Sequence, residues 1–305
     1  MLSSHDMTYR LDFGALEPLL DGLFSSGMKA KNRAFTLQEF LSLIATVCVL
    51  IFLFLPLARG TRSTNTIARC MSNMRYLTVA WQLYAEENHG RLVENYDGGD
   101  AQGGAIAKTN PSSAPWACGW EDWTLWPDNT NMLFIRNSRY ARLSPYITVE
   151  SNVHKCPSDQ YTTVFQRMNG LKERVRSVSM NATLGLPVAK GPFSTIYKLT
   201  KRLSDINNPD PAQTFLFLDE HPDSINDPLF WPPTSTGFVD FPGNLHKGAA
   251  TFSFADGHVE AHHWLGPIRS ARVRIDSLGR LARLNPDPDI HWLSYHSQRT
   301  GETTY

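Results

Sequence analysis

From Phe40 to Leu55 no residue is charged, and the apolar character continues through Leu57 and Ala58. The 24 residues from Phe35 to Ala58 would reach roughly 36 Å as a helix, against about 30 Å for a hydrocarbon core. The pattern predicts a membrane-spanning helix over 35–58. Beyond Pro56 the run becomes periodic: Ile67, Cys70 or Met71, Met74, Leu77 or Thr78, Trp81 and Tyr84 recur every three or four residues, with Arg69, Arg75, Gln82 and Glu86 between them. That period predicts an amphipathic helix over 59–90 that continues the first one. Asn88 and Gly90 are suited to its C-terminal cap.

The rest of the chain, 91–305, reads as a globular domain. Residues 95–115 are rich in Gly, Ala and Ser with no period, which predicts an exposed loop. Trp116, Trp120, Trp123 and Trp126 follow within eleven residues. Such a cluster can stack sugar rings; the plainer reading packs the loop onto the body. "LSPYITV", "VHKCPSDQ", "RVRSVSMNATLG" and "TFLFLDEHPDS" read as short strands. "ATFSFADGHVEAHHW" predicts a hairpin, in which Phe252 and Phe254 alternate with Ser253, Asp256 and Gly257 turn, and Val259 and Ala261 alternate back.

Composition narrows the function. Lysine plus arginine equals aspartate plus glutamate at 29 each, so no excess charge calls for nucleic acid as a partner. Nineteen prolines and twenty glycines favour a loop-rich, β-containing body over a helical bundle. Cys48 lies in the apolar run, leaving Cys70, Cys118 and Cys156 outside it. The number is odd, so they cannot all pair within one chain.

Lys29, Lys31 and Arg33 form a basic flank to the apolar run, as in a secretory signal or an uncleaved anchor. The run is longer than a signal core, and Pro56-Leu57-Ala58 is a poor cleavage site. Glu39, alone among apolar neighbours, points elsewhere. "Ala34-Phe35-Thr36-Leu37-Gln38-Glu39" resembles the cleavage and methylation signature of type IV prepilins and type II secretion pseudopilins. With Phe35 as mature residue one, Glu39 is the fifth and Pro56 falls where that family often bends its helix. Ala34 replaces the usual Gly and Gln38 the usual apolar residue. "CMSNMRYLTVAWQLYAEENHG", "KCPSD", "SMN", "FLDEHPDSIND", "FADGH" and "DIHWLSYHSQRT" resemble a pseudopilin-like group, extending the resemblance over nearly the whole mature chain.

The resemblance implies an α+β, pilin-like fold: one long N-terminal helix, half membrane-spanning and half amphipathic, packed on a C-terminal antiparallel sheet. It implies a cytoplasmic leader 1–34, cut between Ala34 and Phe35 by a prepilin peptidase that leaves an N-methylated Phe35, and an assembly role for Glu39. It places the chain as a single-pass protein of a bacterial inner membrane with its C-terminal domain in the periplasm. The implied partners are membrane lipid, other pilin or pseudopilin subunits and an inner-membrane assembly platform of a type II secretion or type IV pilus-like machine. In bilayer terms, Glu39 would need a counter-charge, which the new α-amino group of a neighbouring subunit can supply.

Three further expectations concern chemistry. No catalytic motif is present, so a structural subunit is favoured over the alternatives, a membrane-anchored glycan-binding module or a hydrolase. One disulfide is expected to join Cys156 with Cys70 or Cys118. Finally, "LDEHPDSIND" gathers Asp219, Glu220, His221, Asp223 and Asp227, while His246, Asp256 and His258 lie near the hairpin. Asp219, Glu220, His246, Asp256 and His258 form a candidate cation site: calcium if acids converge, zinc if histidines dominate. The competing reading has these residues capping turns.

Overall fold

A computed structural model describes residues 36–150, 152–187, 193–234, 237–275 and 288–301, with the backbone alone at 52–65 and 193–194. The leader and the Ala34–Phe35 junction lie outside the described residues, while Pro56, proposed as a kink, lies within the helix that runs Leu37–Glu87. The chain forms two compact units, one ending at Leu57 and one beginning at Ala58.

Helix α1 (Leu37–Glu87) starts in the first unit. Thr36 and Glu39 close a capping box there. The Glu39 N–H donates to the Thr36 hydroxyl oxygen at 3.3 Å, and Glu39 Oε2 accepts from the Thr36 N–H at 2.9 Å and from its hydroxyl at 2.8 Å. Two otherwise unpaired amides of the first turn are thereby satisfied. Leu37, Phe40, Leu41, Ile44, Val47 and Ile51 are all exposed. Among the described residues no helix is long and apolar enough to cross a membrane.

In the second unit the helical period reappears as burial. Cys70, Met74, Leu77, Trp81 and Ala85 are fully buried, at the spacing that puts them on one face. His89 and Gly90 take left-handed backbone conformations, and the Gly90 N–H donates to the Ala85 carbonyl at 2.7 Å, which closes the helix where Asn88 and Gly90 predicted.

That face covers one side of a five-stranded sheet made of β1 (Val178–Asn181), β2 (Phe215–Asp219), β3 (Leu229–Phe230), β4 (Ala249–Phe254) and β5 (Val259–His263), in the order β3-β1-β2-β4-β5. The unit is α+β, and the sheet is mixed where an antiparallel one was expected. β1–β2, β2–β4 and β4–β5 are antiparallel, while β3 runs parallel to β1. The short connection after β2 crosses the end of β1 and delivers β3 to its far edge in the same direction as β1. The β4–β5 hairpin is as the alternation predicted, with Gly257 at φ +104 in its turn.

"LSPYITV" and "VHKCPSDQ" are not strands. Ser144–Tyr146 is a 3-10 turn and 153–159 is a series of turns. Each holds a proline, Pro145 or Pro157, which has no N–H to give a ladder.

Two cores result. Between α1 and the sheet lie Trp81, Trp116, Val178, Met180, Leu216 and Phe217. On the other side Phe215, Leu218, Phe252, Phe254 and Trp264 pack together, joined by Trp292 of the helix Pro288–Tyr295. β2 carries a register shift between Phe215 and Phe217: Phe215 pairs with Phe254 and Phe217 with Ser253, so Leu216 is the extra residue of a bulge. Leu216 and Phe217 therefore both face α1, and Asp219 follows on that side.

Candidate metal centre

Four polar side chains meet in the core between α1 and the sheet. Cys70 comes from the buried face of α1, Asp219 ends β2, His246 lies in the turn before β4, and Cys156 lies in the turns at 153–159. One ligating atom from each lies within 4.8 Å of all the others, and all four residues are buried.

Local structure holds three of them in place. The Cys156 N–H donates to Ser177 Oγ at 2.7 Å, and its carbonyl accepts from the Asp159 N–H at 3.0 Å. Thr251, on β4, accounts for two more. Asp219 Oδ1 accepts from the Thr251 N–H and, at 2.7 Å, from the Thr251 hydroxyl, while Cys70 Sγ lies 3.0 Å from Thr251 Oγ1. Gly243 leaves room for the acid. A Cβ there would stand 2.7 Å from both the carbonyl oxygen and Oδ2 of Asp219.

The centre of the cluster is His246 Nε2, 3.2 Å from Cys156 Sγ and 3.9 Å from Asp219 Oδ2. The second distance is too long for a hydrogen bond, and Oδ2 is a buried oxygen without a hydrogen-bond partner. The protons are unevenly shared. The neighbouring Cys70 thiol brings Cys156 down to about 5, with His246 helping against burial. Cys70 in turn is pushed well up, first by its Cys156 neighbour and then by burial. Burial and then the Cys156 charge raise Asp219 to about 7. Burial works against a charged His246, but its bond to Cys156 and the Asp219 charge outweigh it and raise its pKa. This is a pocket of electron-pair donors converging on one point. It differs from a nucleophile–base–acid relay, in which the imidazole uses a different nitrogen for each neighbour.

Two separate expectations from the sequence thus fall at one place. Cys156 does lie beside Cys70, but both thiols are free, as is Cys118. Cys118 is in another cluster, its Sγ 3.1 Å from the Tyr140 carbonyl oxygen. Of the five residues proposed for a cation, Asp219 and His246 belong to the site and three do not. Glu220 follows Asp219 on an extended chain and so points to the opposite face, where its carboxylate accepts from Ser179 and Ser224 hydroxyls at 2.5 Å each. Asp256 and His258 pair with each other at 2.7 Å on the hairpin turn, partly exposed. The remaining acids cap turns: Asp223 accepts from the Arg274 and Ile275 amides, and Asp227 from Gly98 and Leu229. His221 Nδ1 accepts from the Asp223 N–H at 3.2 Å. One carboxylate oxygen among two sulfurs and a nitrogen is no calcium site, since calcium takes six to eight oxygens.

The tryptophan cluster divides. Trp116 is core, Trp126 is 42% exposed, and Trp123 lies under the Arg174 guanidinium at 4.1 Å. Trp120 and Trp123 line a cleft of about 500 Å³ with Glu121 and Arg174. Glu121 is fully buried 3.8 Å from Arg176 Nε, and burial, only partly offset by Arg176 and Arg174, raises its carboxyl from 4.5 to about 7. The folded chain therefore holds this proton more tightly than the unfolded chain. Stability present below pH 4.5 is lost as pH rises towards 7, by up to about 3 kcal/mol. Urea midpoints should fall between pH 5 and pH 8, and Glu121→Gln should flatten that fall; an equally steep fall in the variant would assign it to other groups.

No family model, curated protein or solved structure matches the chain.

Proposed function

We propose that the chain is a pilin-like or pseudopilin-like structural subunit, anchored in an inner membrane by the apolar part of α1 and assembled through that helix into a filament of a secretion or pilus-type machine. The observation that carries this reading is the division of α1. Its described apolar residues before Ile51 are exposed around the helix, whereas from Cys70 onward one face is buried on a sheet. A helix that is apolar all round needs lipid or other helices about it. The prepilin-like stretch from Ala34 to Glu39 supports the same assignment. On this reading a prepilin peptidase frees Phe35, the domain after α1 faces the periplasm, and neighbouring subunits and an assembly platform are the partners.

The capping box gives a sharp test. Glutamine serves as well as glutamate at the third helical position of such a box. Glu39→Gln therefore keeps the helix start and removes only the charge. In cells with a prepilin peptidase, the mature protein should begin with N-methylated Phe35 by mass spectrometry. Glu39→Gln should be cut normally but be lost from sheared or cross-linked filaments. A chain still starting at Met1, or wild-type assembly of Glu39→Gln, would overturn the reading.

A further inference from the structure

The donor set between α1 and the sheet suits one ion. Two thiol sulfurs, one imidazole nitrogen and one carboxylate oxygen are the ligands of a borderline-soft cation that accepts tetrahedral geometry. A tetrahedron with bonds of about 2.0–2.3 Å has edges of about 3.3–3.8 Å. The observed 3.2 Å from Cys156 to His246 and 3.9 Å from His246 to Asp219 bracket that range. A second observation is independent of the distances. Asp219 Oδ2 is buried, points into the cluster and has no hydrogen-bond partner, a costly arrangement that a cation relieves. Its other oxygen is held by Thr251, as the outer shell of a metal site holds a ligand.

We propose that Cys70, Cys156, Asp219 and His246 bind one structural zinc ion, which ties the second half of α1 to β2 and to the turns around Cys156. Four protein ligands close the coordination sphere, leaving no position for substrate. The Cys70 thiol proton and any proton still held by the other three ligands leave to solvent as their bonds to zinc form, so binding releases acid. A cleft of about 380 Å³ lined by Ser72, Asn73 and Pro157 abuts Cys156 and offers the ion a way in. The proposal does not depend on the filament reading, since it uses only the folded second unit.

The test uses the full chain in detergent, purified under reducing conditions and stripped with a chelator. Cobalt(II) should bind at one per chain and show sulfur-to-cobalt charge transfer with tetrahedral ligand-field bands, and zinc should abolish both. Cys156→Ser and Cys70→Ser should each weaken the charge-transfer band. Thr251→Val, which leaves all four ligands, should weaken zinc binding by roughly 10–100-fold. Because a cysteine variant can fail to fold, wild-type thiol mapping provides the second readout: zinc should shield Cys70 and Cys156, and not Cys48, from alkylation. The proposal is overturned by a folded wild-type chain without a sulfur-to-cobalt band, by a band unchanged in both serine variants, or by a Cys70–Cys156 disulfide in the protein as isolated.

Discussion

Trp116→Ala is expected to destabilise the second unit by about 3–5 kcal/mol, the cost of deleting a fully buried large aromatic. The ring lies 4.9 Å from Phe217 and stacks on His154 at 5.8 Å, so its loss opens a void between the loop 91–150 and the sheet. It also strands two acceptors. Trp116 Nε1 donates to Asn95 Oδ1 at 3.1 Å and to the Pro228 carbonyl at 3.2 Å, and Asn95 in turn donates to the Met180 carbonyl on β1. Trp126→Ala, at an exposed position ten residues on, should stay within about 0.5 kcal/mol of wild type. Urea unfolding of the two variants compares them directly; a loss below about 1 kcal/mol for Trp116→Ala would mean that the ring is not a core element.

An effect of similar size is expected at Arg176, for an electrostatic reason. This fully buried guanidinium donates to the Val178 carbonyl at 3.0 Å, Ser179 Oγ at 3.1 Å and the Asn226 carbonyl at 3.0 Å, and it is the leading counter-charge to Glu121. Removing one partner of a buried ion pair typically costs about 3–5 kcal/mol, here because Glu121 must then either stay charged alone or take up a proton. Arg176→Ala should therefore unfold at markedly lower urea. Changing both members, in Arg176→Met with Glu121→Leu, should recover much of that loss. If the double variant is as unstable as the sum of the two single changes, the pair is not coupled and the three hydrogen bonds alone account for Arg176.

What was legible in the sequence follows what is periodic. Met74, Leu77 and Trp81 recur at helical spacing and lie on the buried face of α1. Phe252 and Phe254 alternate with small residues and form a hairpin strand. β3 has only two residues, too few to show an alternation, and it is defined by its place beside β1. The turns around Cys156 were expected as a strand, but the stretch from Val153 to Gln160 carries no apolar–polar alternation, and Pro157 and the hydrogen bonds of Asp159 take the backbone elsewhere. The metal-type cluster was half legible: Asp219 and His246 carried suggestive side chains, while the two cysteines suggested a disulfide instead. What joins the four is tertiary, since Cys70 and Thr251 are 181 positions apart and touch only because α1 lies across β4. One more local signal lies at the head of α1. Thr36 with Glu39 three residues later is a helix-start signature, independent of any role in a filament.

The bulge at Leu216 sets the parity of everything after it on β2. In a strand of strict alternation starting from Phe215 on the far side, Phe217 and Asp219 would also lie on the far side, and Glu220 would turn towards α1. The one extra residue reverses this assignment, so the shorter acid meets the thiols and the longer one meets Ser179 and Ser224. A deletion of Leu216 would remove the bulge and leave Asp219 and Glu220 on their present faces, whereas a strand that kept Leu216 without the bulge would exchange one carboxylate for the other. The addresses of the two acids are therefore written in the backbone, one irregularity upstream of either.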